Sequence, residues 1–174
     1  MNLRTQVVLI LLSTITATAV AQSSADDPTS PQGTQARGYW VDPATKLMWA
    51  AKDNGKDVSW KQAMKYCQNL QIAGYSGWRL ATLPELAQIY DPKLEAPGLA
   101  GYSGKQRAFT WHVKGNLFLT GDQWSRIRPT DDRGRPTGYA WHYDFNEGRE
   151  DKDPTGWPYS DAGMRALCVR GSQD

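Results

Sequence analysis

Few residues of this sequence are of the types that catalysis uses most often. Cysteine and histidine occur only twice each among 174 residues, and the sequence contains neither a Cys-x-x-Cys pair nor a Gly-x-Ser-x-Gly turn. Those spacings are typical of redox, zinc and hydrolase sites. Each histidine, His112 and His142, follows a tryptophan in a segment with strand character, a position that is more often solvent-facing than a general base. We therefore expect a protein that is not an enzyme.

The sequence also lacks a strong net charge and a complete metal-binding motif. The formal net charge is only +2, which gives no bias toward nucleic acid or a membrane surface. Acidic residues are frequent between residues 144 and 161, and Asp144-x-Asn146-x-Gly148 resembles the start of a calcium loop. Thr155 stands where the loop would need its twelfth-position carboxylate. We assign no metal site and no cofactor.

No apolar run is long enough to span a membrane, which takes about 20 residues. Arg4 precedes an apolar run over residues 7–12, and residues 19–21 read Ala-Val-Ala, the three parts of a secretory signal. The sequence therefore predicts a signal peptide over residues 1–21. Its removal would leave a periplasmic or secreted protein without a membrane span.

Two regions follow the predicted signal peptide. Residues 22–37 are rich in Ser, Asp, Pro and Gln and have almost no apolar side chain, which predicts a flexible lead-in. Residues 38–171 are long enough for a single domain with one core.

Two short helices are predicted early in this domain. Ser59 with Gln62, and Thr82 with Glu85, have the hydroxyl and amide or carboxyl spacing of a capping box. The first helix then carries an apolar stripe at helical spacing: Trp60, Ala63, Met64, Cys67 and Leu70.

Strands are predicted on both sides of the helices, giving an α+β fold with a twisted antiparallel sheet. Residues 139–145 alternate Tyr, Trp, Tyr and Phe with Ala, His and Asp, which predicts a half-buried strand with its aromatics on one face. Residues 91–106 contain several Pro and Gly residues and are predicted to form loops. The other predicted strands are a hairpin over residues 39–41 and 47–49, and residues 109–113, 116–120, 123–127 and 164–170.

The two cysteines, Cys67 and Cys168, lie far apart in the sequence. In an exported chain an even pair favours a disulfide over a reactive or metal-binding thiol.

Basic residues are concentrated in the middle of the domain. Residues 105–135 hold seven basic side chains against three acidic ones. Because the guanidinium fork matches sulfate, phosphate or carboxylate, the candidate ligand contacts are Arg126, Arg128, Arg133 and Arg135. The alternative is a solvated loop whose charges pair locally and contribute little.

Some of the eight tryptophans are candidates for stacking on a sugar. Trp157, between Gly156 and Pro158, is predicted to be the most exposed, and Trp111 is also predicted to be free of the core. The tryptophans predicted to lie in the core are Trp49, Trp60, Trp78 and Trp124.

Several motifs of this domain resemble the C-terminal domain of the bacterial collagen-like adhesin, the Lcl C-terminal domain family. The order of the motifs is preserved over about residues 38–170, although Ala81 stands where the family usually has Pro. The matching motifs include Thr45-Lys46-Leu47-Met48-Trp49, Val58-Ser59-Trp60, Tyr66-Cys67, Trp78-Arg79-Leu80, Trp124-Ser125 and Arg165-Ala166-Leu167-Cys168-Val169-Arg170.

The resemblance implies a fold related to C-type lectins, with the first helix tied by a disulfide to the last strand. It also implies binding of sulfated polysaccharide, as for the adhesin. The Glu-Pro-Asn, Gln-Pro-Asp and Trp-Asn-Asp tripeptides of calcium-dependent lectins do not occur in this sequence, so that mode of sugar binding does not transfer.

Together these observations favour an exported, noncatalytic binding module for anionic or sulfated polysaccharide or for the cell-envelope surface. A module that binds an envelope protein, or that has a structural role in the envelope, is the alternative, and a contiguous exposed aromatic patch would favour it. An enzyme would need a polar pocket with strongly perturbed titratable groups.

Overall fold

A computed structural model describes residues 27–102, 104–157 and 163–171. The predicted signal peptide, residues 1–21, lies outside the described residues. The helices of the described part are α1 (Thr34–Arg37), α2 (Trp60–Asn69) and α3 (Leu83–Gln88). The strands of that part are β1 (Tyr39–Val41), β2 (Met48–Ala50), β3 (Arg79–Leu80), β4 (Ala96–Ala100), β5 (Arg107–Trp111), β6 (Asp122–Trp124), β7 (Tyr139–Asp144), β8 (Arg149–Pro154), β9 (Met164–Arg165) and β10 (Cys168–Arg170). The α+β class is confirmed.

The predicted flexible lead-in differs from the structure where it is described, over residues 27–37. This segment forms a 3-10 turn at Pro31–Gly33 followed by α1. Polar contacts attach it to the domain, since Trp40 Nε1 donates to the Thr29 carbonyl at 2.9 Å and Gln35 Nε2 donates to the Ala51 carbonyl at 3.0 Å. The composition of this segment indicated too little apolar surface to offset the entropy lost on ordering it. In the structure, hydrogen bonds to the domain hold it in place.

The first sheet joins the two ends of the domain in the order β1-β2-β10-β3. The predicted hairpin is confirmed, with Trp40 opposite Trp49 in antiparallel register. The final strand β10 then inserts between β2 and β3, pairing Val169 with both Trp49 and Arg79. The C-terminal end of the domain is therefore a central strand of this sheet.

Helix α2 begins as its capping box predicts. The Ser59 backbone N–H donates to Gln62 Oε1 at 2.8 Å. The apolar stripe turns inward, so that Ala63 and Cys67 are fully buried. Cys67 is bonded to Cys168 in β10, which confirms the disulfide.

Helix α3 is fixed at its start by a buried carboxylate. Glu85 accepts the Thr82 backbone N–H at 2.8 Å and forms a two-pronged ion pair with Arg79, with N···O distances of 2.8 and 2.6 Å. Burial by itself would raise the pKa of Glu85, but the hydrogen bonds from Arg79 and Thr82 outweigh it and lower the pKa. The capping residue thus also ties α3 to the first sheet.

Strands β4 and β5 form a two-stranded antiparallel ribbon, and β4 lies inside the segment predicted to be loops. Pro97 and Gly98 favoured a loop, but in β4 they pair with Thr110 and Phe109 of β5. A Cβ atom at Gly98 would lie 2.2 Å from the Leu119 carbonyl oxygen and 2.6 Å from Trp111 Cδ1, so the close approach of this backbone and of the ring requires glycine there. Tertiary packing here overrides local strand propensity.

The second four-stranded sheet has the order β8-β7-β6-β9. Its β7 and β8 form the long hairpin of the domain, while β6 and β9 are parallel. The single strand predicted over residues 164–170 is instead divided between two sheets, as β9 and β10. The strand predicted over residues 116–120 is replaced by a 3-10 turn at Lys114–Asn116 and an isolated bridge of Phe118 with Lys52.

The core consists of two hydrophobic clusters. One lies around Trp49, Trp111 and Phe145, and the other lies around the disulfide with Trp78 and Trp124. Trp111 is 1% exposed, so its predicted freedom from the core is wrong. Its Nε1 donates to the Leu99 carbonyl of β4 at 3.0 Å, a partner that no local pattern reveals.

His142 is buried, and the expectation that it faces solvent is wrong. The aromatics of β7 do not all turn inward, because Ala140 and His142 are the buried side chains of its first half. Nε2 of His142 lies 3.2 Å from Asp153 Oδ2. Burial is the main cause that lowers the pKa of His142, although Asp153, Asp151 and Asp144 act in the opposite direction.

This buried histidine makes the stability of the domain dependent on pH. The unfolded chain takes up a proton near pH 6.5, whereas the folded state resists it, so the free energy of unfolding should fall as the pH drops below 6.5. We expect the thermal midpoint to decrease between pH 7.5 and 5.5, a range above the ordinary pKa values of carboxyl groups. In His142→Gln this decrease should be much smaller. An unchanged decrease in the variant would assign it to other groups.

Candidate functional site

The predicted arginine contacts lie on one loop between β6 and β7, residues 126–135, here named the cationic loop. Its tip is a turn built around Asp131. The Asp131 backbone N–H donates to the Arg135 carbonyl at 2.9 Å, and Asp131 Oδ1 accepts the backbone N–H groups of Arg133 and Arg135, each at 2.9 Å. These bonds give the tip a defined shape although it is exposed.

Arg135 is engaged within this turn. Its side chain forms an ion pair with Asp131 at 2.8 Å, and its Nε donates to Asp131 Oδ2 at 2.9 Å. The backbone and side-chain hydrogen bonds from Arg135 are the main causes that lower the pKa of Asp131. Arg135 therefore already has an acidic partner.

Arg128 holds the base of the cationic loop. Its guanidinium donates to the carbonyl of Thr137 and, at 3.4 Å, to that of Tyr139, and it lies over the Trp60 ring, 5.4 Å from the centroid. Trp60 is itself fixed by its Nε1, which donates to the Ser125 carbonyl at 2.8 Å. Arg128 thus joins the loop to the start of α2. Trp60, predicted to be a core residue, is only half-buried.

Arg126 and Arg133 differ from the other two arginines. Both are exposed, and within residues 27–102, 104–157 and 163–171 neither side chain has a hydrogen bond or an ion pair. The structure therefore brings all four predicted residues onto one loop but leaves only two guanidinium groups open to an external anion.

Exposed apolar side chains lie beside the cationic loop. Tyr139 and Trp157 are 46% and 53% exposed and are here named the aromatic edge, while Ile127, within the loop itself, is 40% exposed. The Trp157 N–H donates to the Pro154 carbonyl at 2.8 Å, and Pro154 pairs with Tyr139, whose own carbonyl accepts from Arg128. The predicted exposure of Trp157 is confirmed, and the backbone contacts connect it to the base of the loop.

Tyr139 and Lys152 also lie at the surface, although neither is predicted from the sequence as a candidate contact. Tyr139 was expected to face inward with the other aromatics of β7, whereas it is one of the most exposed apolar side chains described. Lys152 lies opposite Trp141 across the β7–β8 hairpin, with Nζ 5.7 Å from the centroid of the ring. The alternation along β7 shows that Tyr139 and Trp141 share one face of the strand, but not that this face is turned outward. The exposure of Tyr139 and the position of Lys152 opposite Trp141 therefore could not be predicted.

The acidic segment forms a turn and an edge strand. Asp144 Oδ1 accepts the backbone N–H groups of Asn146 and Glu147 at 2.7 and 3.2 Å, which fixes the turn into β8. Among the described residues, the acidic and histidine side chains do not form a group able to hold a metal ion. In that same part of the chain, no helix has the length and hydrophobicity needed to cross a membrane.

These features define a disulfide-bonded α+β domain whose surface combines free arginines with exposed aromatic rings. Residues 38–170 match the family model of the Lcl C-terminal domain. Because this match covers more than half of the chain, the protein belongs to that family, which indicates an adhesin-like surface domain. No curated protein matches the sequence. The disulfide is consistent with an exported protein.

Proposed function

We propose that this protein is an exported, noncatalytic module that binds anionic polysaccharide on the cationic loop and the aromatic edge. The observation that carries the proposal is the position of Arg126 and Arg133, whose side chains have no partner among the described residues, on a loop whose base contacts the Tyr139 carbonyl. Signal-peptide cleavage after Ala21 would deliver the module to the periplasm or the cell exterior. Its relation to C-type lectin-like folds is part of the same proposal.

The chemistry of the two surfaces suits a sulfated or carboxylated sugar chain. A guanidinium binds sulfate or carboxylate through two parallel hydrogen bonds, while an exposed aromatic ring covers the apolar face of a sugar. Internal bonds at Asp131 and Arg128 hold the loop, so less conformational entropy is lost on binding. Arg126 and Arg133 are exposed, and their attraction for an anion should therefore be screened by salt.

Binding of an envelope protein is the second candidate, and the aromatic edge favours it. Tyr139 and Trp157 are 46% and 53% exposed, and their backbones are linked through Pro154, so they could contribute to one apolar surface. An interface centred on Trp157 and Tyr139 would depend on apolar burial, so it would persist at high salt. Salt dependence therefore separates the two candidates.

Heparin chromatography tests the proposal. We expect the double variant R126Q/R133Q to lose about tenfold in apparent affinity, because two charge-assisted contacts are removed. The variant should elute at clearly lower salt than the wild type. Its thermal midpoint should be unchanged, because neither side chain has a partner in the described structure.

The matched control is K61Q/K65Q, which removes the same charge from exposed positions of α2. It should elute close to the wild type, because its lysines lie outside the cationic loop. If both double variants shift equally, the retention reflects total charge and not this loop. Trp157→Ala should weaken retention as well, without altering the salt dependence, because the ring carries no charge.

A further inference from the structure

A concave site lies between the β4–β5 ribbon and the turn after β7. It is a cleft of about 270 Å³, here named the ribbon cleft. The side chains that matter for its chemistry are Lys105, Arg107, Phe109, Trp111, Asp144 and Asn146. None of them belongs to the cationic loop.

The ribbon itself explains why this cleft exists. On β5, the side chains at alternate positions 107, 109 and 111 share one face, and their partners on β4 are Ala100, Gly98 and Ala96. Small residues opposite large ones leave space above the ribbon that the rings only partly fill. Phe109 packs on Trp111 with 4.8 Å between ring centroids and remains half-buried, so its ring forms an apolar wall.

A buried arginine fixes the loop that leads into the cleft. Arg165 Nη2 donates to the Gly101 carbonyl at 2.8 Å, and its Nη1 forms an ion pair with Asp57. The backbone of Gly101 has a φ of 113°, and a Cβ atom there would lie 2.9 Å from the Lys105 carbonyl, so this approach needs glycine. Gly101, which lines the cleft, is therefore held in place from the core.

The polar groups of the cleft carry charges of both signs. Lys105 and Arg107 are exposed, and within the described ranges their side chains have no ion pair or hydrogen bond. On the opposite side, Asp144 uses Oδ1 for the turn, and Asn146 contributes a side-chain amide. Cations thus face groups that accept and donate hydrogen bonds, with an aromatic wall between them.

We propose that the ribbon cleft binds one hexuronate residue of an acidic polysaccharide, which rests on the proposed function and names a sugar class for it. The carboxylate pairs with Arg107 and Lys105, the ring lies on Phe109, and the hydroxyl groups bond to Asp144 and Asn146. The volume is below the roughly 300–1,000 Å³ of pockets for drug-sized ligands, which suits one sugar ring. A neutral hexose would leave both cations without a partner.

Calorimetry with tetragalacturonate, which carries carboxylates and no sulfate, tests this site. The wild type should bind it, and the fully methyl-esterified tetramer should bind at least about tenfold more weakly, because the ester lacks the charge. K105Q/R107Q should lose about tenfold in affinity. Asn146→Ala should also weaken binding while leaving every charge in place, whereas K61Q/K65Q, which removes the same charge from exposed positions of α2, should bind as the wild type does.

The outcomes separate this inference from the proposed function. Retention on heparin without binding of tetragalacturonate would overturn the ribbon cleft and leave the cationic loop intact. Equal binding of the acid and its ester, or unchanged binding by K105Q/R107Q, would also overturn it. A wild-type protein that binds neither tetragalacturonate nor heparin would overturn both proposals.

Discussion

Arg165→Met should lower the free energy of unfolding by about 3–5 kcal/mol, because it removes one partner of a buried ion pair and the hydrogen bonds of a fully buried guanidinium. Arg165 is fully buried, and only 10% of the Asp57 side chain is exposed. The guanidinium also donates to Thr120 Oγ1 and to the Gly101 carbonyl, each at 2.8 Å. Urea unfolding of the variant and the wild type measures the difference.

Two further variants test this explanation. Arg149→Met removes an arginine whose ion pairs are exposed, and it should cost less than about 1 kcal/mol. The double variant D57N/R165M should recover part of the lost stability, because it also removes the largely buried negative charge of Asp57. A single Arg165→Met variant within about 1 kcal/mol of the wild type would show that this buried network is dispensable.

The second large effect concerns the disulfide. Cys67→Ala with Cys168→Ala should lower the free energy of unfolding by about 2–5 kcal/mol, because the bond constrains the unfolded chain over a sequence separation of 101 residues. Alanine is suitable because both positions are fully buried and a hydroxyl would lack a partner there. Urea unfolding under oxidising conditions measures the loss.

A reducing agent provides the matched control for the disulfide. Dithiothreitol should destabilise the wild type and leave the double alanine variant unchanged. The oxidised wild type should also show no labelled thiol by mass after alkylation without reduction. Two labels on the folded, oxidised protein would contradict the bond.

Local rules predicted the elements whose determinants are close in sequence. Ser59 and Gln62 are three residues apart, and their capping box begins α2 in the structure. The hairpin of β1 and β2 likewise follows from a short turn between two apolar segments. In both cases the hydrogen bonds that define the element lie within it.

Prediction failed where distant residues supply the partner. The Pro97–Gly98 pair favoured a loop, yet β4 forms because Trp111 packs against Gly98 and bonds to the Leu99 carbonyl. His142 was expected to face solvent, and the structure places it beside Asp153 of the neighbouring strand. Neither pairing has a local pattern in the sequence.

The sequence predicted which arginines lie in the candidate site, but not which of their guanidinium groups are open to a ligand. Composition identified the arginines of the cationic loop, but it could not distinguish Arg128, which bonds to backbone carbonyls, from Arg126, which has no such contact among the described residues. The partner of Arg135 is only four residues away, so the i,i+4 spacing from Asp131 was the one available signal. The exposure of Tyr139 follows only from the structure, in which it lies on the outward face of β7.

Equilibrium titration of the oxidised wild type with a heparin octasaccharide, at about 50 mM and about 500 mM salt, tests whether the cationic loop and aromatic edge bind anionic polysaccharide. Raising the salt shortens the range of exposed electrostatic attraction from more than 10 Å toward about 3–5 Å. We expect clear binding at the lower salt concentration and strongly weakened binding at the higher one. No binding at 50 mM, or equal affinity at both concentrations, would contradict it.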